Sequence, residues 1–368
     1  MAHATISDLR RFYAGRRVLV TGHTGFKGGW LALWLNRLGA EVHGCALPPD
    51  QGPDSLFEKG DVTSHATSVF ADIRNAAQMA ALVQTVQPEV VFHLAARALV
   101  QQGYEDPLGA FDVNVQGTAS VLEAARQCES VRAVVCVTTD KVYLNREWPW
   151  PYRETDELGG LDPYSASKAA AELVARTYQN ALKPKDRPFN VATARGGNVI
   201  GGGDWSPFRL VPDIVRAIQA ETPLTLRYPG ATRPWQHVLD LCYGYILLGH
   251  RLAAASPSDR TDHAAWNFGP APDAELTVSE LVSAFLEAWG DPSYPVERGE
   301  AVHYESMTLR LDPSLANRVL GWQPGLDART TVAWTADWYR AYVTGSASAR
   351  SLVLNQIERF EAVLDSRA

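Results

Sequence analysis

One short stretch limits the folds open to this chain more than any other. The run Val18-Leu19-Val20-Thr21 leads straight into T-G-H-T-G-F-K-G and then into a helical pattern over Trp30–Leu38. Glycines at 22, 25 and 28 leave room for the backbone amides of a helix N-terminus to approach a pyrophosphate, where a Cβ would collide. Such glycines alone are a weak signal, because many strand-to-helix turns contain them. Placed between a strand and a helix they predict a dinucleotide loop.

The rest of the first half supports a sheet able to carry that loop. Short β-branched runs near Val42–Ala46, Val90–Leu94, Ala133–Val137 and Val191–Ala194 alternate with longer helical patterns. That alternation predicts an α/β fold, a Rossmann-like doubly wound parallel sheet. After Arg195 the glycines 201–203 and the prolines 207, 212, 223, 229 and 234 break the pattern, which predicts a smaller, loop-rich α/β substrate-binding region. Trp266–Phe268 reads as a further strand, so the chain is expected to return to the first sheet near 265–269. The division is therefore 1–195 for the dinucleotide domain and 196–368 mainly for the second region, the two interleaved. Ser351–Ala368 reads as a terminal helix.

Composition removes several function classes. With 46% hydrophobic residues in 368 the chain can bury a large core, and a net charge of −7 argues against a nucleic-acid partner. No stretch approaches the roughly 18 apolar residues of a membrane span, and the first residues lack the apolar core of a leader, so a cytoplasmic, membrane-free protein is expected. Cys45, Cys128, Cys136 and Cys242 show no CxxC spacing and predict buried, reduced thiols; nine histidines without close ligand spacing predict no metal.

Asp162-Pro163-Tyr164-Ser165-Ala166-Ser167-Lys168 opens a helix with Tyr164 and Lys168 four residues apart, hence on one face. A lysine cation beside a phenol favours phenolate and draws it below the usual value of about 10. Such a tyrosine can accept an alcohol's proton while the hydride leaves for a nicotinamide. The choice between NAD and NADP is less sharply written. The second strand ends in Cys45-Ala46-Leu47 with no carboxylate before Asp50, and no cation between Gly44 and Glu58 awaits a 2′-phosphate, although Lys27 could reach one. NAD is mildly favoured.

In this order T-G-H-T-G-F-K-G, Asp72-Ile73, His93-Leu94-Ala95-Ala96, Asn114, and Tyr164 with Lys168 resemble the extended short-chain dehydrogenase/reductase family over nearly the whole chain. The resemblance implies that Gly22, Thr24, Gly25, Phe26, Lys27 and Gly28 hold NAD, with Asp72 and Ile73 at the adenine. Leu94, Ala95, Ala96, Tyr164 and Lys168 would face the nicotinamide half, and His93 would be a packing residue. Thr138-Thr139-Asp140-Lys141 resembles the motif of sugar-nucleotide 4,6-dehydratases, most of which carry Thr-Asp-Glu. The lysine, together with N-R-E-W-P-W-P-Y-R-E, G-N-V-I-G-G-G-D-W and R-P-W-Q-H-V, is similar to the branch that acts on CDP-glucose.

That resemblance implies C4 oxidation, loss of water across C5 and C6, and hydride return to C6, with the cofactor regenerated. Thr139 would orient the sugar, Asp140 would be the acid, and Lys141 would stand where the glutamate base usually stands. Either substrate closure neutralises Asp140 and Lys141, or Lys141 stays cationic beside the enolate and another group takes the proton. Asn198, Arg209 and Arg233 are implied at the substrate diphosphate. His237 and Tyr304 are further candidates for the nucleotide, each weighed against ordinary packing. The patterns Phe111–Ala125 and Ala169–Tyr178 resemble the helix pair through which the family dimerises, and the family supplies deoxysugars for bacterial surface polysaccharide such as lipopolysaccharide O-antigen. Two alternatives remain: another sugar-nucleotide dehydratase or an epimerase, which would not need Asp140, and a catalytically silent nucleotide-binding regulator.

Overall fold

The computed structural model describes residues 4–50, 52–255, 264–270, 275–299 and 308–367. Its centre is a seven-stranded, all-parallel sheet. In chain order the strands are β1 (Arg17–Thr21), β2 (Glu41–Ala46), β3 (Thr67–Phe70), β4 (Val90–His93), β5 (Ala133–Val137), β6 (Asn190–Gly196) and a return strand, Ala265–Phe268. In space they run from the return strand through β6, β5, β4, β1 and β2 to β3. The order reverses between β1 and β4, the switch point where such sheets open a crevice for ligands.

Five strands fall within a few residues of their expected places, and the return strand pairs with β6 from Ala265 opposite Thr193 to Phe268 opposite Gly196. The strand not foreseen is β3. It lies at the sheet edge with Thr67, Val69 and Phe70 exposed, so it lacks the apolar run that betrays a buried parallel strand.

Helices cover both faces. Ala76–Val86, Thr118–Gln127 and Pro163–Gln179 pack on one side. Phe26–Arg37 and Val238–Ala254 pack on the other, with Trp30 and Trp34 wholly buried. The expected helix over Phe111–Ala125 is interrupted, because Asp112–Gly117 forms a π-turn between Pro107–Phe111 and Thr118–Gln127. A π-turn widens the helix and re-aims its side chains. Here it turns Asn114 inward, where its amide accepts from Arg97 N (2.9 Å) and donates to Ser167 Oγ (2.8 Å). The segment after β4 is thereby tied to the helix that carries Tyr164.

The terminal helix, Ala349–Asp365, docks on Phe26–Arg37 through one carboxylate. Glu361, 5% exposed, accepts from Arg10 Nη2 at 2.6 Å, Trp34 Nε1 at 3.0 Å and Arg37 Nε at 3.2 Å. Both arginines retain access to water, but the indole does not. We therefore expect Glu361→Ala to cost about 1–3 kcal/mol, most of it from the stranded indole N–H, with turnover at room temperature preserved. Denaturant unfolding and a steady-state assay on the same sample check both halves.

Candidate active site

A cavity of about 1310 Å³ opens along the C-terminal ends of β1, β2, β4 and β5. It exceeds the roughly 300–1,000 Å³ of a single small-ligand pocket, so it can take a dinucleotide and a second nucleotide together.

The glycine loop forms one end. Gly22 holds φ +79°, and a Cβ there would lie 2.6 Å from Ala95 N; a Cβ on Gly28 would lie 2.0 Å from Gly22 O. The helix that starts at Phe26 has no side-chain cap, which leaves its first amides free for an anion. Behind the loop His23, buried, meets Ser68 Oγ at 2.9 Å and anchors it to β3. Thr24, Phe26, Lys27, Asp72, Ile73, Leu94, Ala95 and Ala96 all line the cavity. This cradle, with its donor-rich helix start, fits a dinucleotide pyrophosphate.

Asp72 is held bidentately by Arg74, which also reaches Asp112 at 2.8 Å. Hydrogen bonding from Arg74 keeps the Asp72 carboxyl below its usual range. Sequence reasoning missed Arg74, because a cation two residues past an aspartate looks like ordinary surface. Lys27 lines the cavity within electrostatic reach of Arg209, Asp140 and Asp204. Crowding by protein atoms, then Arg209, lowers its ammonium to about 8.

Across the cavity lies the turn after β5. Thr139 Oγ1 donates to Asp140 Oδ1 at 2.9 Å and accepts from Lys141 N at 3.3 Å. Asp140 is 3% exposed, and its Oδ2 is buried without a hydrogen-bond partner. Burial raises its carboxyl against the pull of Lys141, Thr139 and Arg233. Lys141 lines the same cavity, as does Tyr164.

Tyr164 and Lys168 share a helix face but differ from expectation. The phenol is pushed up to about 12 by burial, with Thr139 and Arg209 opposing. Lys168 is absent from the cavity wall, and its Nζ donates to Val137 O at 2.9 Å. Burial and then Lys27 lower that ammonium to about 8. The two cations repel, and the carbonyl at the end of β5 gives Lys168 a hydrogen-bond partner.

At the far end Asn198, Arg209 and Arg233 line the cavity. Arg233 is almost wholly buried and donates to Thr232 O, while Arg209 lies 3.6 Å from Asp204. His237 does not join them, which corrects the expectation that it contacts substrate. Its ring is fully buried edge-on to Trp30 and Trp334, its Nδ1 accepts from Leu239 N at the start of a helix, and burial lowers it to about 3. Tyr304 lies outside the described residues. His93 bridges the Thr21 and Thr118 hydroxyls inside the core.

Comparison with known proteins places this geometry. The family model described as GDP-mannose 4,6 dehydratase matches residues 19–335. A CDP-glucose 4,6-dehydratase of Salmonella typhimurium is 41% identical over 340 residues, 91% of this chain and 94% of that one. A UDP-glucose 4-epimerase of Mycolicibacterium smegmatis is 28% identical over 326 residues, 88% of this chain and 98% of that one. Among solved structures, a dTDP-glucose 4,6-dehydratase from Streptomyces venezuelae with NAD bound superposes with a TM-score of 0.74 at 26% identity, covering 89% of this chain and 98% of that one. By sequence and by fold the chain belongs to the GDP-mannose 4,6-dehydratase family of sugar-nucleotide enzymes.

Proposed function

We propose that the chain is a lyase that converts CDP-glucose to CDP-4-keto-6-deoxyglucose and water. The observation that carries this reading is that the Thr139-Asp140-Lys141 turn and Tyr164 line one cavity, in a chain 41% identical to a dehydratase of that name. An epimerase needs no acid after Thr139.

NAD, held by the glycine loop with Asp72 and Ile73, would supply a hydride acceptor for C4 and the hydride that returns to C6. Tyr164 takes the C4 hydroxyl proton; its raised value means the phenolate depends on nearby positive charge, which Lys168 does not give from its place at Val137. The resulting ketone acidifies the C5 hydrogen. Asp140 gives its proton to the C6 hydroxyl, which leaves as water, and its burial favours the protonated form that an acid requires. Lys141 removes the C5 proton once closure over the sugar has taken water from the pair. Asn198, Arg209 and Arg233 hold the substrate diphosphate. Incubating the protein with CDP-glucose, dTDP-glucose, GDP-mannose and UDP-glucose in turn, we expect mass loss of one water with CDP-glucose alone. Loss with another donor replaces the substrate, and no loss with any donor overturns the dehydratase reading.

Lys141→Met separates the two roles of the lysine. We expect solvent-deuterium incorporation at C5 to fall by about 10²-fold or more, as for loss of a general base, while nicotinamide reduction persists. Unimpaired C5 exchange would make Lys141 a cation beside the enolate instead.

The enzyme works in the cytoplasm as a homodimer on this reading. All four cysteines are buried and unpaired, and no described helix is long and apolar enough to cross a membrane. Leu108, 82% exposed, and Leu173, 53% exposed, lie on the adjoining helices Pro107–Phe111 and Pro163–Gln179. Exposed leucines on two adjoining helices support a protein contact there. Leu173→Glu is expected to shift the protein to monomer in analytical ultracentrifugation; an unchanged species would move the interface elsewhere.

A further inference from the structure

The turn that carries Asp140 and Lys141 is a single 3₁₀ turn, and its own hydrogen bonds are long: Val142 N to Thr139 O and Tyr143 N to Asp140 O both measure 3.4 Å. Bonds of that length hold a backbone loosely. The two residues flanking the turn are far better secured. Thr138 Oγ1 donates to Glu172 Oε1 at 2.6 Å, and Arg195 Nη1 donates to Tyr143 Oη at 2.7 Å. Tyr143 in turn donates to Asn267 Oδ1 at 2.7 Å and stacks on Tyr152, ring centres 5.0 Å apart.

Both ties end on one buried ion pair. Glu172 and Arg195 have side chains 3% and 1% exposed and meet at 2.7 Å, with Thr193 Oγ1 donating to the other side of the same carboxylate at 2.7 Å. Burial alone would raise the Glu172 carboxyl, but Arg195 and the two threonine hydroxyls outweigh it and keep it ionised. Glu172 lies on the helix of Tyr164 and Lys168, eight and four residues further on, hence on their face.

We propose that Thr138 and Tyr143 are positioning residues, two struts that register the Asp140–Lys141 turn against the Tyr164 helix through the Glu172–Arg195 pair and so set the acid and base for the elimination step. Both border the cavity, but their hydroxyls are committed to Glu172 and Arg195. The inference rests on the dehydratase reading, in which Tyr164 serves C4 oxidation and the turn serves loss of water. Loosening the struts should therefore slow elimination and spare oxidation.

Removing Glu172 or Arg195 would strand a buried charge and can abolish folding, so the test uses near-isosteric changes. In Thr138→Val and Tyr143→Phe each strut loses one hydroxyl. Thr193→Val removes an equivalent hydrogen bond to Glu172 from a residue that is not one of the two struts. Single-turnover mixing of each NAD-loaded variant with CDP-glucose follows nicotinamide reduction by absorbance and water loss by mass. For the two strut variants we expect C4 oxidation within about twofold of the unaltered protein and water loss slowed roughly tenfold to a hundredfold, so that reduced cofactor accumulates. Thr193→Val, with a comparable drop in Tm, should not accumulate it. Accumulation in Thr193→Val as well, equal slowing of both steps, or unchanged elimination in both strut variants would each overturn the proposal while leaving the dehydratase reading intact. Absence of water loss in the unaltered protein with every donor would remove that reading and this proposal with it.

Discussion

The ion pair between Glu172 and Arg195 is the contact on which the catalytic half of this molecule is hung. It lies beneath β5 and β6, takes two charges almost wholly out of water, and is held there because each guanidinium nitrogen and each carboxylate oxygen is hydrogen-bonded. Glu172 accepts from two threonines and two guanidinium nitrogens, and Arg195 continues to the Tyr143 phenol and the Glu154 carbonyl. A buried pair gains little stability over a well-packed apolar one. What it gains is direction: hydrogen bonds fix the strands, the turn and the helix in one register, which dispersion forces between apolar groups do less sharply.

Asp140 is the opposite case, a buried carboxyl left partly unsatisfied. Its Oδ1 is bound by Thr139, its Oδ2 has no hydrogen-bond partner, and a Cβ at Gly197 would stand only 3.3 Å from that oxygen. Such a group is costly to fold, and desolvation relieves the cost by favouring the neutral acid. Burial thus shifts Asp140 toward the protonated form that an acid requires, while Lys141, Thr139 and Arg233 pull the other way.

Much of this was legible in the chain. The glycine loop and the alternating strands determine the sheet because they reflect local constraints: close backbone approach at Gly22 and Gly28, and β-branched runs buried on both faces. The Thr139-Asp140-Lys141 stretch stands out because nothing in a plain strand-to-loop exit requires it. What was not legible is tertiary. The exposed edge strand β3 has no apolar signature, the π-turn that points Asn114 inward follows no helical period, and His237 reads identically whether it fills a core or faces a ligand. Glu172 and Arg195 are ordinary letters of a helix and a strand until the fold brings them together.

The orientation of Lys168 follows from a balance that sequence spacing cannot express. Lys27 and Lys168 sit in one crowded region, each lowered to about 8. A lysine whose folded value is below its unfolded one binds fewer protons when folded between pH 8 and its ordinary 10.5, so stability from these groups rises across that window and the cost is in full force below it. At neutral pH the folded protein therefore carries two desolvated cations, of which Lys27 lines the cavity with Arg209 and Arg233 while Lys168 does not. Two diphosphates, one from the cofactor and one from the substrate, are the ligands whose charge offsets this arrangement.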